Sequence, residues 1–351
     1  MPSRALPLSR LALPRLSTLA AAAAALLAAP LLAPAPARAD ADAVEWDVSV
    51  PWGATEFHTL DAIAYAEAVA EATGGAVKLT VHPAGALGIK GSETLRAVED
   101  GAVPMAEYGM FVNVGDVPIL GIEAIPFLVD TQDDLKVLHA LVRPVWEAEL
   151  EKRNQKALYI VPWPAQNFFT KEPVASFEDL SGMRMRTSDG MSATMVGRLG
   201  LVPLQLNNTD IVPALATGKL DAVMTSGATA VAQKYWEFLN HVYNTNHLWA
   251  SNVMAINLDD WNELTADQQA AMERVAQEME PGFWAISRAE HARRMEELAA
   301  HGMTVDAPSP EMAARMREVT ADMADDFAAR VPGAGDILAA YKAEIVKGGA
   351  K

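Results

Sequence analysis

Apolar and polar positions along the chain fall into short β-type runs alternating with longer helical ones. Val44 to Val50 is β-rich and stops at Pro51-Trp52-Gly53. From about His58 to Thr73 the spacing is helical. Leu60, Ile63, Ala66 and Ala70 form the expected apolar face, with Val69 alongside and Glu67 toward solvent. Gly74-Gly75 supplies the C-terminal stop. Val77 to His82 alternates as a strand, and Pro83 to Gly88 reads as a turn. Ser92 to Glu99 is a short helix and Val103 to Tyr108 a further strand. Thr131 to Lys152 is a long amphipathic helix, and Leu158 to Val161 a buried-type strand entering Pro162-Trp163-Pro164.

A second block repeats this style. Strands are expected at Met183 to Arg186, Val202 to Leu206, Leu220 to Met224 and Val253 to Leu258, and helices at Met191 to Leu199 and Thr209 to Ala216. A very long helical tract runs from Thr265 to about His301, with a break or bend expected at Pro281-Gly282. Met303 to Val305 reads as a strand, and Pro310 to Arg330 and Ala334 to Val346 as helices. The alternation predicts an α/β fold with largely parallel pairing, in two lobes around a cleft. In such sheets ligands sit beyond the carboxyl ends of strands, so strand-exit segments are the place to look for chemistry.

Residues 1–39 are different. Arg4, Arg10 and Arg15 precede an Ala/Leu run from roughly Leu16 to Leu32, and the segment ends in Ala37-Arg38-Ala39. This is the pattern of a secretory signal cut after Ala39, so a periplasmic location is expected. Loss of its four Arg would take the formal charge of the chain from −17 to −21. Such acidity disfavours nucleic acid or an anionic membrane surface as partner, and it requires a bound anion to be held by a local cation. The 351 residues contain no Cys, which excludes disulfides, thiolate metal sites and a cysteine nucleophile.

Phosphate-binding glycine motifs and HExxH are absent, and the seven His have no metal-ligand spacing. Gly190-Met191-Ser192-Ala193-Thr194 lacks the last Gly of a nucleophile elbow. Asn207-Asn208-Thr209 reads as a helix cap. Glu56-Phe57-His58 is the one local acid/base candidate. No cofactor, metal or catalytic residue is therefore expected. The most informative segment is Phe177 to Thr187. Arg184 and Arg186 lie two apart on a strand and share a face. Each could capture a carboxylate bidentately, or pair with one of the many surface acids.

In order along the chain come Glu71-Ala72-Thr73-Gly74-Gly75, His82-Pro83-Ala84-Gly85-Ala86-Leu87-Gly88, Ile125-Pro126-Phe127-Leu128, Asp179-Leu180-Ser181-Gly182-Met183-Arg184-Met185-Arg186 and Ala214-Leu215-Ala216-Thr217-Gly218-Lys219-Leu220-Asp221-Ala222. Over about residues 45–345 the chain resembles the DctP-type solute-binding proteins of tripartite ATP-independent periplasmic (TRAP) transporters. The resemblance implies a two-lobed periplasmic binding protein (type II-like), its lobes joined by hinge strands and a long spanning helix. It implies lobe I from 40–163 plus about 253–285, lobe II from 164–252 plus about 302–347, and the spanning helix at about 265–301. It implies closure on an organic acid, with the family's carboxylate-binding Arg at Arg186. It also implies delivery to a small DctQ-type and a large DctM-type membrane subunit by a monomer or weak dimer.

Two positions depart from the family pattern. Asn167 stands where members often carry a second cation, and Thr225 where they carry Asn. Met224 and Thr225 occupy places that hold a metal in some members, so no metal is expected. One strong cation then remains among neutral donors. Aromatic residues at the strand exits could sandwich an apolar body. The expected ligand is a monocarboxylate with an apolar or aromatic part, held by Arg186, Asn167, Gln166, Trp163, Thr225, Ser226, Trp249, Phe57, Tyr108 and Asp210. The alternatives are a sensory binding protein of the periplasm, a C4-dicarboxylate binder, and an enzyme.

Overall fold

The structure is a computed structural model that describes residues 43–349. The signal-type segment and its cleavage point after Ala39 lie outside the described residues. In chain order the elements are β1 (Val44–Ser49), α1 (Phe57–Ala72), β2 (Val77–His82), α2 (Thr94–Glu99), β3 (Met105–Gly109), α3 (Gln132–Glu151), β4 (Gln155–Pro162), β5 (Asn167–Thr170), β6 (Arg184–Thr187), α4 (Gly190–Arg198), β7 (Val202–Gln205), α5 (Ile211–Ala216), β8 (Ala222–Thr225), α6 (Gly227–Ala232), β9 (His241–Tyr243), β10 (Ser251–Asn257), α7 (Leu258–Glu263), α8 (Ala266–Ala300), β11 (Thr304–Asp306), α9 (Pro310–Thr320), α10 (Met323–Arg330) and α11 (Ala334–Gly349). Among the described residues no helix is long and apolar enough to cross a membrane.

Two sheets form the lobes. The first has the order β2-β1-β3-β10-β4, the second β11-β9-β5-β8-β6-β7. Pairing is less parallel than expected: β10 runs antiparallel to β3 and β4, and β5 antiparallel to β8 and β9. The reason is the double crossing. The chain leaves lobe I after β4 and returns through β10, so each crossing strand meets its neighbours head to tail. At the crossing the two passes are tied by main-chain bonds, Trp163 N–H to Ala250 C=O at 2.7 Å and Gln166 N–H to Leu248 C=O at 3.0 Å.

Local chemistry explains the main elements. Thr131 and Asp134 form a capping box at the start of α3, and Thr265 and Gln268 form one at α8. Gly74 and Gly75 adopt φ of 61° and 86°, a conformation that carries no Cβ penalty in glycine. The 35 residues of α8 rise about 52 Å and run unbroken through Pro281, where a break or bend was expected. Tertiary packing on both sides of the proline holds it. Met272, Val275, Phe283 and Trp284 lie in the lobe I core, and Met295 and Leu298 in a lobe II core. The helix therefore spans both lobes.

Two expectations need correction. On α1, Leu60 is 52% exposed and Ile63 36%, whereas Ala62, Tyr65, Ala66 and Val69 are buried. The buried stripe is set by packing on β2 and α8, where Tyr65 donates to the Met272 carbonyl at 3.2 Å. The C-terminal segment, expected in lobe II to about residue 347, divides. Met312, Met316 and Met323 join a lobe II core, but Phe327, Val331, Ala334, Leu338 and Tyr341 join the lobe I core. The expected single helix breaks between α9 and α10, the switch falls within α10 between Met323 and Phe327, and α11 lies against α3.

Candidate functional site

In lobe II the parallel strands β7, β6 and β8 end at one edge, and Arg186 fills it. Its Nε and Nη2 donate to the Leu206 carbonyl at 3.1 and 3.0 Å, and its Nη1 to the Met224 carbonyl at 3.3 Å. A guanidinium has five N–H groups. Main-chain acceptors take up three of them, which leaves one on each terminal nitrogen, a fork that matches a carboxylate. Arg186 is 6% exposed and sits at ion-pair distance from no carboxylate among the described residues. Desolvation lowers its pKa, while Tyr235, Asp189 and Glu56 act against that shift. Arg184 is the opposite case. It is exposed and bound by Nε and Nη2 to Asp221 at 2.8 and 2.7 Å. Of this pair, Arg184 is therefore taken up by a surface acid, and Arg186 is paired with none among the described residues.

The start of α4, next to Arg186, is already occupied. Asp189 accepts from the Met191 and Ser192 amides at 2.8 and 2.9 Å. Asn207, in the run expected to cap a helix, makes no side-chain cap. Asn208 instead reaches across to Glu56 of lobe I at 3.2 Å.

Arg186 opens into a cavity of about 270 Å³ between the lobes. Of the expected site residues, Trp163, Gln166, Thr225 and Ser226 also line it. The structure puts the other five outside the lining. Asn167 is turned back on the hinge, donating to Ala165 C=O and accepting from Asn246 N–H. Trp249 donates to Val129 C=O on another face of the crossing. Phe57 packs edge-on behind Trp163, with ring centroids 5.2 Å apart. Tyr108 is buried in the lobe I core, donating to Gln155 at 2.8 Å. Asp210 is exposed on a 3-10 turn. Hinge pairing turns Asn167 and Trp249 away, strand register buries Tyr108 in the core, and Phe57 and Asp210 lie on helical segments that face elsewhere.

Other lining residues were missed. Trp52 stands edge-on to Trp163 at 4.9 Å and, with Phe111, completes the apolar wall; Trp52 follows β1 and Phe111 follows β3. The loop after β2 contributes Gly85, Ile89, Lys90 and Gly91. Its position after a strand was a usable signal. Asn208, marked in the sequence only as part of a cap, and Thr229, which no sequence pattern marks, line the lobe II side.

Groups that resemble catalytic sets have structural partners. Glu56 bonds to Asn208 and Thr229 of lobe II, whereas His58 turns to Glu107 in the lobe I core, Nδ1 to Oε1 2.8 Å. Ser251, His139 and Glu123 meet in the core, where the serine hydroxyl donates to the glutamate at 2.8 Å. None of the three lines the cavity. Among the described residues no group of three or more His, Asp or Glu could hold a metal ion.

Comparison with known proteins gives a consistent result. Residues 49–330 match DctP, the bacterial extracellular solute-binding protein family 7. A TRAP solute-binding protein from a marine metagenome, described as specific for pyroglutamate, is 33% identical with a TM-score of 0.83, covering 86% of this chain and 99% of that one. DctP7 of Bordetella pertussis, described as an extracytoplasmic solute receptor binding pyroglutamic acid, is 27% identical with a TM-score of 0.83, covering 86% of this chain and 100% of that one. The C4-dicarboxylate-binding periplasmic protein DctP of Rhodobacter capsulatus is 25% identical over 280 residues, 77% of this chain and 82% of the relative.

Proposed function

The chain belongs to the DctP family of bacterial extracellular solute-binding proteins, and from that premise we propose that it captures a small monocarboxylate with an apolar body, of the class of pyroglutamate. The observation that carries this reading is Arg186: a buried guanidinium with two free N–H groups, at the base of a cavity walled by Trp52, Trp163 and Phe111. An empty site of this kind pays for a desolvated charge that an arriving carboxylate neutralises. Gln166, Thr225 and Ser226 offer neutral donors and acceptors to the rest of the ligand. Pyroglutamate in two solved relatives is further support.

In this reading export places the protein in the periplasm, with cleavage after Ala39. The ligand bridges the lobes and favours the closed state, and the closed protein hands the acid to the small and large membrane subunits without turning it over. The protein works as a monomer or weak dimer. One observation favours a second reading. Lys90 also lines the cavity, and a second cation opposite Arg186 would suit a dicarboxylate.

The test is a thermal-shift and calorimetric panel containing L-pyroglutamate, L-malate and succinate. Stabilisation by L-pyroglutamate is the expected result. Stabilisation by malate or succinate alone would overturn the monocarboxylate assignment in favour of the second reading. Turnover of any bound acid would overturn the non-enzymatic one.

A further inference from the structure

Glu56 is the last residue before α1, in lobe I, and is 2% exposed. Its Oε1 accepts from Asn208 Nδ2 at 3.2 Å and from its own loop, Gly53 N–H, at 3.4 Å. Its Oε2 accepts from Thr229 Oγ1 at 3.1 Å. Asn208 and Thr229 belong to lobe II, and both line the cavity. The contact extends deeper: Gln233 donates to Asn208 Oδ1 at 2.9 Å, and Tyr235 donates to Gln233 at 3.3 Å. One carboxyl of lobe I therefore gathers a hydrogen-bonded row of lobe II side chains, of which Asn208 and Thr229 line the ligand space.

A buried carboxyl without donors is costly, so Glu56 can be dry only while Asn208 and Thr229 face it. Separating the lobes removes both donors and must return the carboxyl to water. We propose that Glu56 is a positioning residue for ligand capture: it fastens Asn208 and Thr229 to lobe I and so holds the lobes shut around a ligand that it does not need to touch. This deepens the solute-binding reading and rests on it for its consequence on affinity, but the fastening itself concerns the lobes alone.

Two readouts separate these parts. The chain has no Cys, so Glu71→Cys on α1 and Lys219→Cys after α5, both at exposed positions, accept spin labels that report the distance between lobes. The second readout is the dissociation rate of L-pyroglutamate. Glu56→Ala is expected to lengthen the label distance. It is also expected to speed dissociation by about tenfold to a hundredfold with association unchanged, the effect of two lost hydrogen bonds. Glu56→Gln, which keeps an acceptor for Asn208 and can donate to the Thr229 hydroxyl, should return within about threefold of wild type, a rescue that a general folding defect would not show. Thr229→Val should add little to the label distance in the Glu56→Ala background, because both remove the same contact between the lobes. Unchanged label distances in Glu56→Ala, or a Glu56→Gln protein as open as Glu56→Ala, would overturn the proposal. If the wild-type protein binds no L-pyroglutamate, the ligand reading fails instead, and the label distances alone decide the role of Glu56.

Discussion

Replacing Arg186 with alanine should abolish acid binding while leaving the fold intact. Three guanidinium N–H groups are held by the carbonyls of Leu206 and Met224, and two have no acceptor among the described residues. Each charge-assisted hydrogen bond contributes about 1.5–3 kcal/mol. Two of them amount to about 3–6 kcal/mol, a rise in Kd of roughly a hundredfold to ten-thousandfold. Arg186→Lys keeps the charge but is a point donor, unable to hold both carbonyls and present a fork, so a loss of about tenfold to a hundredfold is expected. Because the group is buried, raising salt should weaken binding little. The assay is calorimetry with L-pyroglutamate, with circular dichroism to verify the fold. The matched control is Arg184→Ala, which removes an exposed, solvent-screened ion pair with Asp221 and should change stability little and affinity not at all. Binding within about threefold of wild type in Arg186→Ala would refute the clamp, as would an equal loss in Arg184→Ala.

Two further outcomes concern lobe I. Burial, reinforced by Glu107 and Glu290, raises the Asp61 pKa to about 8. The native state then holds a proton that the unfolded chain releases near pH 4, so this group makes stability fall as pH rises from about 4 to about 8, by at most about 1.4 kcal/mol per pH unit. Asp61→Asn should flatten that slope and raise the melting temperature at pH 8; an unchanged slope in melts from pH 5 to 9 would refute the assignment. On α1, Leu60→Lys should change stability by no more than about 0.5 kcal/mol, whereas Tyr65→Ala should cost about 3–5 kcal/mol in denaturant unfolding. A large loss from Leu60→Lys would mean that the exposed face is covered.

Most elements were legible because hydrophobic period and stop signals are local. The boundaries of α3, the strands flanking Arg186 and the span of α8 follow from capping residues, alternation and length. A basic residue at a strand exit is a local pattern, but it marks Arg184 and Arg186 alike; the ordered motifs, and the family they resemble, single out Arg186. The alternation of elements, the acidic two-lobed α/β plan and a cation at a strand exit are therefore local properties of the chain.

Tertiary structure decided the rest. Leu60 and Val69 both fit an apolar stripe, and only packing against β2 and α8 selects which is covered. Pro281 stays helical because cores on either side hold the helix. Asn167, Trp249 and Tyr108 face away because hinge pairing and register fix their directions. Glu56 meets Asn208 and Thr229 across separations of 152 and 173 residues. No local pattern encodes a contact that exists only once two lobes have folded and met.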